Sequence, residues 1–432
     1  DSPFDDPNAF KFGADSDQNL IKCGSYVGSG SAGLEVNLGW EPSFVMYKRT
    51  DTTGDWIMSD SVRGAPTAGI DSVMIKANAS DSEAEQSYIS LTSTGFTLPN
   101  TFAFANASGG NYVYIAFRRP DGYVAKPAEA GTDVFAMDTG NGSATIPVFD
   151  SGFPVDMAFE RRPATTESWY TPTRLTGTKY LLLNDTGAQA TSSNMVWDSN
   201  VGWSNDQAPS DYQSWMWKRG QGFDVVTYSG QSGAKIVPHS LNAVPEMMWV
   251  KNRTYDDANG WTVYHTGLNG GTNPEQYRMR LQSDVAEDDN NLAWNDTAPT
   301  ATHFTLGTDR MVNQGSYDYI AMLFSSVSGI SKVGSYTGQT GNANLTIDLG
   351  FTPRLFICKR IDDTAGWYIW DSLRGLSSSG TEKPFYLNSS QAQGNAYNYL
   401  DTTASGITLY GGITSEFLGH LTSMEYIYYA HA

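Results

Sequence analysis

The sequence predicts an all-β chain built as four tandem β-sandwich modules, jelly-roll or lectin-like, of about 90–113 residues each. Three observations predict it. A phrase returns four times, the apolar segments between its words are short and alternate with polar residues, and Gly, Asn, Asp and Ser punctuate them. The phrase runs Tyr26-x-Gly28, Gly39-Trp40-Glu41-Pro42, Lys48-Arg49, Trp56 and Asp60-Ser61-Val62-Arg63-Gly64. Its tryptophan recurs at Trp169, Trp261 and Trp367, at intervals of 113, 92 and 106 residues. Such a period exceeds that of solenoid units and suits small domains with their own cores.

After an N-terminal extension over 1–20, module one covers 21–125. Val45-Met46-Tyr47-Lys48, Trp56-Ile57-Met58-Ser59 and Tyr112 to Phe117 read as its strands. No segment of ten or more residues has helical periodicity, and only short helical turns, as near Asp81 to Glu85, are left open. Module two, 126–221, is the diverged copy: Thr139-Gly140, Gly152-Phe153-Pro154, Arg161-Arg162, Trp169, Arg174-Leu175-Thr176-Gly177. Its Trp215-Met216-Trp217 alternates, so both rings point to one face of a strand and read as core. Module three, 222–327, carries Tyr228-Ser229-Gly230, Pro245, Lys251-Asn252-Arg253, Trp261 and Gly267 to Gly270. Module four, 328–432, restores the full phrase, ending Asp371-Ser372-Leu373-Arg374-Gly375. Each module opens and closes on a strand, so its first strand is expected to pair with its last. The Gly-aromatic-x-Pro step reads as a turn into a strand, and the repeated Trp as the centre of each module's core. The glycines Gly28, Gly30 and Gly33, with their counterparts Gly140/Gly142, Gly230/Gly233 and Gly338/Gly341, read as a repeated hairpin turn.

A net charge of −19 repels phosphate backbones and argues against nucleic-acid partners. No run approaches the ~18 apolar residues of a membrane helix, so insertion is not expected. The start lacks an initiator Met and a signal-peptide pattern, so a processed product or a piece of a longer chain is expected. Cys23 and Cys358 occupy different modules and different places within them; both are read as free and buried.

Signals for chemistry are few. The histidines lack metal-ligand spacing, and there is no Cys-x-x-Cys or Gly-x-Ser-x-Gly. Gly28 to Gly33 matches a dinucleotide fingerprint in letters, but a strand follows it rather than a helix. No catalytic residue and no cofactor are expected, and the chain is read as a binding or structural protein, not an enzyme. The candidate ligand-binding residues sit in repeat loops: Asp60, Arg63, His265, Asn269, Asp371 and Arg374. The simplest account of Asp60 with Arg63, and of Asp371 with Arg374, is an ion pair that holds the Arg-Gly turn. The candidate metal loop is Asp284, Glu287, Asp288 and Asp289, since calcium takes six to eight oxygen ligands.

Several phrases carry a resemblance: Ile21-Lys22-Cys23-Gly24-Ser25-Tyr26, Tyr114 to Pro120, Phe149 to Asp156, Leu268 to Pro274, Gly329 to Tyr336 and the ending Tyr426 to Ala432. With these the chain resembles the repeat region of tail-fibre and related virion proteins of tailed bacteriophages, particularly those of marine bacteria and cyanobacteria. The resemblance implies a virion location, other virion proteins and a host-surface glycan or protein as partners, and a homo-oligomer, a trimer. The expected function is host attachment by a tail or surface fibre. The alternatives are a capsid decoration or fibre-shaft protein without receptor binding, and a particle-borne polysaccharide depolymerase.

Overall fold

The computed structural model describes residues 11–12, 18–63, 72–143, 145–205, 209–255, 260–339, 343–411 and 424–432. They form antiparallel sheets, and among them the longest α-helix, Ala103–Asn106, has four residues. No described helix is long and apolar enough to cross a membrane.

Each repeat holds a large sheet and a small one. In module one the large sheet runs, edge to edge, Ile21–Val27, Asn111–Arg118, Pro42–Arg49, Ile57–Asp60, Ser72–Lys76, Ala84–Gln86. The small one runs Leu34–Asn37, Gly95–Leu98, Ser90–Thr92. The opening and closing strands pair in all four modules, with Tyr26 opposite Tyr112, Tyr228 opposite Tyr319 and Tyr336 opposite Tyr426. The three tyrosine pairs stack at 4.8–5.3 Å. Between its sheets each module has its own core, centred for example on Tyr47 and Phe96, Phe149 and Trp203, Val250 and Phe304, or Phe356 and Ile407.

The Gly-aromatic-x-Pro turn is as expected. Gly39, Gly152 and Gly350 have φ near +80°, and module three places Asn242 there at φ 55°. Asparagine is the side chain that tolerates the left-handed region best.

Three expectations are corrected, and the open one is decided. The glycine-rich turn is not a hairpin: Ile21–Val27 and Leu34–Asn37 belong to different sheets, and so do their counterparts in the other modules. The chain crosses there from one layer of the sandwich to the other, and Gly28 has no room for a Cβ because Ala107 O would lie 2.1 Å away. The segment near Asp81–Glu85 is extended and enters the strand Ala84–Gln86. Cys358 is buried and free, but Cys23 is free and exposed. The repeated Trp is not at the centre of a module core. Trp169, Trp261 and Trp367 lie on the outer face of their large sheets, in a fifth apolar cluster shared by modules two, three and four.

That fifth cluster explains the burial pattern. In module one the strand Pro42–Arg49 alternates between buried and half-buried residues. Its counterparts Met157–Arg161 and Met247–Asn252 are buried at every position, because each large sheet is covered on both faces.

Candidate functional site

The surfaces where modules meet carry a set of polar contacts that repeats from module to module. Modules two, three and four close into a ring, and the contacts that close it repeat. Trp169 Nε1 of module two donates to Tyr386 O of module four at 2.8 Å. Trp367 Nε1 of module four donates to Arg280 O of module three at 2.9 Å. Trp261 Nε1 of module three donates to Leu182 O of module two at 2.8 Å, which completes the circuit. The three acceptors are equivalent, since each is the strand partner of the residue that follows its own module's Trp. A cation on the neighbouring strand follows the same direction to a carbonyl four residues further on. Arg161 reaches Ser390 O at 3.2 Å, Lys359 reaches Asp284 O at 3.2 Å, and Lys251 reaches Thr186 O. The structure therefore has a pseudo-threefold axis within one chain.

The ring positions its tryptophans with a device the sequence reading missed. The backbone N–H of each repeated Trp donates to a side-chain amide: Asn78, Asn184, Gln282 and Asn388, at 2.8–2.9 Å. Three of these lie 21 or 22 residues after their Trp, a spacing that would have revealed them.

The expected ligand residues serve the same architecture. Asp371 and Arg374 form a buried ion pair at 2.6 Å, and Asp371 also caps the 3₁₀ turn Ser372–Arg374 by accepting from Arg374 N. Asp371 Oδ2 accepts from Trp215 Nε1 of module two at 3.0 Å, and the Arg374 guanidinium lies 4.2 Å from the Phe385 ring. Both groups are inside an inter-module seam. In module one the same pair, Asp60 and Arg63 at 2.6 Å, is half-exposed, and Gly64 lies outside the described residues. Asn269 sits at φ 52° with its amide on Thr272 O, and its N–H donates to Glu287 at 2.8 Å.

His265 stands where modules one and four have the Asp of the phrase, and it is fully buried. Gly267 N donates to Nδ1 at 2.9 Å, so the neutral ring carries its proton on Nε2, 3.3 Å from Tyr428 O of module four. Burial pushes its imidazole down to about 4, only partly offset by that backbone bond. The unfolded value is ~6.5, so the folded chain resists a proton that the unfolded chain accepts. Stability from this site is complete above pH ~6.5 and is lost as pH falls through about 4, by ~3 kcal/mol. His265→Asn should flatten the fall in urea midpoint between pH 6.5 and 4. An unchanged slope would assign the acid sensitivity elsewhere, for example to His431, also pushed to about 4.

The acidic loop does not converge on a point. Asp284 lends its backbone carbonyl to Lys359, Glu287 accepts from Asn269, and Asp288 pairs with Arg278 at 3.0 Å. Asp289 sits in a two-residue strand, Asp288–Asp289. Among the described residues no cluster of three or more His, Cys, Asp or Glu is arranged to hold a metal.

The last surface joins module one to the ring. Arg219 donates both terminal nitrogens to Glu41, at 2.6 and 2.7 Å, and its Nε to Asp224 at 2.8 Å. Arg119 adds a bond to Asp224 at 3.1 Å. Burial alone would push Asp224 up, but Arg219 and Arg119 outweigh it and hold its carboxyl below the usual range. Beside this cluster a cleft of about 250 Å³ opens, lined among others by Ser61, Arg119, Asp156, Arg174, Asn200 and Lys218. Arg174 is buried, bonds Val155 O and Trp197 O and lies 3.8 Å from Asp156, and its Nη2 is a buried atom without a hydrogen-bond partner. Arg119 and Arg219 in its wall are matched by Glu41 and Asp224, and Arg174 by Asp156, so the cleft is cationic by the one charge of Lys218.

No curated protein matches the chain. A family model described as a domain of unknown function (DUF7483) matches residues 14–120 and 205–432. It passes over most of module two, the copy whose phrase is most diverged. With well over half of its length matched, this chain belongs to the DUF7483 family.

Proposed function

We propose that this chain is a structural protein of a tailed-phage virion, a tail or surface fibre that attaches the particle to an acidic glycan of the host envelope. The phrases shared with phage fibre repeats support the virion reading, and the tandem sandwiches suit an extracellular scaffold. The observation that carries the ligand class is the cationic cleft between modules one and two. Lys218 supplies a half-exposed charge there, Arg174 lines the wall while paired with Asp156 at 3.8 Å, and Ser61 and Asn200 add neutral polar groups. A half-exposed ammonium in such a cleft favours a carboxylate, sulfate or phosphate over a neutral sugar. A depolymerase reading is less well served: of the cleft residues only Asp156 is a carboxylate, it accepts from Arg219 N at 2.7 Å, and glycoside hydrolysis uses two carboxyl groups.

The test is titration of the purified chain with host envelope polysaccharide, native and carboxyl-reduced. Saturable binding to the native form is expected, weakened about tenfold by Lys218→Glu, in line with a charge-assisted contact of ~1.5 kcal/mol. Binding that ignores both reduction and charge reversal would remove the cleft from the account. The interlocked ring favours one second reading, a fibre-shaft or capsid decoration protein. Absence of binding, with antibody label spread over the phage head, would favour it.

A further inference from the structure

Among the described residues, module one carries the ring-forming face without ring partners. Strand register makes the equivalence residue by residue. Met46 stands where the ring has Phe159, Trp249 and Ile357. Cys23 stands where it has Met137, Val225 and Val333, and Phe117 where it has Trp217, Phe324 and His431. In the ring all nine of these side chains are at most 8 % exposed. In module one Ile21 is 52 % exposed, Phe117 38 %, Cys23 is exposed and Met46 half-buried. An apolar sheet face open on this scale marks an interaction surface rather than a finished monomer.

Both halves of the ring contact are present. The donor half is Trp56, aimed by Asn78 like its counterparts; its indole N–H has no acceptor among the described residues. Lys48, the counterpart of Arg161, Lys251 and Lys359, folds back onto Gly54 O of its own loop, 5.8 Å from the Trp56 ring. The acceptor half is Lys76 O, since Lys76 is the strand partner of Ile57, with Ser80 O four residues on. Donor and acceptor lie on different parts of one module, so the contact is head-to-tail and must close into a ring or run on as a filament. The copy inside this chain closes at three, and it uses up the faces of modules two, three and four.

We propose that the open face of module one binds two further copies of this chain, so that three first modules close a second ring on a true threefold axis. Trp56 Nε1 of each copy donates to Lys76 O of the next, Lys48 turns from Gly54 to the neighbour's Ser80 O, and Cys23 is covered.

Sedimentation of the full chain tests this. The expected mass at micromolar concentration is three times 47.1 kDa. Cys23→Glu and Phe117→Glu change side chains that are exposed in a single copy, so each should yield a folded monomer with an unchanged β-sheet circular dichroism spectrum. Cys23 in the parent chain should react with a thiol reagent about a hundredfold more slowly than in Phe117→Glu, because the thiol is reached only through dissociation. A monomer or dimer mass for the parent chain overturns the proposal, and an unreactive Cys23 in such a monomer would assign the face to a segment of the same chain. A trimer that survives both glutamate substitutions also overturns it, by placing the contact elsewhere.

Discussion

Trp261→Ala should cost the ring about 4–6 kcal/mol. Truncating a buried aromatic costs ~3–5 kcal/mol when the site cannot collapse. Trp261 is fully buried in the inter-module cluster, packed between sheets that belong to different modules. The substitution also leaves Leu182 O without its indole donor, which adds ~1 kcal/mol. The effect should spread along the seam. Gln189 N donates to Arg253 O and Lys251 reaches Thr186 O, so amide protection over 183–189 should fall before the module cores open. Denaturant unfolding with hydrogen exchange reads both. The control is Trp56→Ala, measured at a concentration where the chain is a single copy. Trp56 is only half-buried there, and a cost below ~1 kcal/mol is expected. Equal costs at the two positions would show that the ring contributes nothing beyond each module's own core.

The second large effect belongs to the buried charges at the junction. Glu41→Met removes one of two carboxylates that face two guanidiniums, and it leaves Arg219 with two unpartnered nitrogens in a buried site. Breaking a buried pair from one side costs ~3–5 kcal/mol, because the remaining charge keeps its desolvation penalty. Replacing both partners is milder. In Glu41→Met with Arg219→Met, Asp224 retains Arg119, and the double variant should recover more than half of the single loss. The unfolding midpoints of the two singles and the double give the coupling. Additive losses would mean that the four groups act separately. Faster proteolysis near residues 120–126 should accompany the Glu41 loss, since this cluster and the Gly122–Ser240 backbone bond tie module one to module three.

Much of each module was legible in the sequence. Short apolar runs rich in β-branched and aromatic residues, such as Val45-Met46-Tyr47 and Leu355-Phe356-Ile357, mark strands because that preference is a local property. The left-handed turn at Gly39 and Gly350 was legible for the same reason, as was the Asp371–Arg374 pair, whose members are one short turn apart. The hairpin reading of Gly28 to Gly33 failed because a glycine turn looks alike whether the next strand rejoins its own sheet or crosses to the other. The core reading of Trp215 and Trp217 was right that both are buried, but the core they enter lies between modules. His265 read as a candidate ligand-binding loop residue, but it ends the strand Trp261–His265, and its partner, Tyr428 O, lies 163 residues away.

The candidate surfaces were legible only in fragments. Glu41 and Trp56 stood out as words of a repeated phrase, but nothing local distinguishes Glu41, whose partners Arg219 and Asp224 are in other modules, from an exposed glutamate. The sequence by itself determined an all-β chain of repeated sandwich modules, because patterning and turn chemistry act over a few residues. Tertiary structure alone decided which apolar face of each large sheet meets its own small sheet and which meets another module. Both faces read as apolar in the sequence, and only the packing of modules against one another separates a closed ring face from an open one.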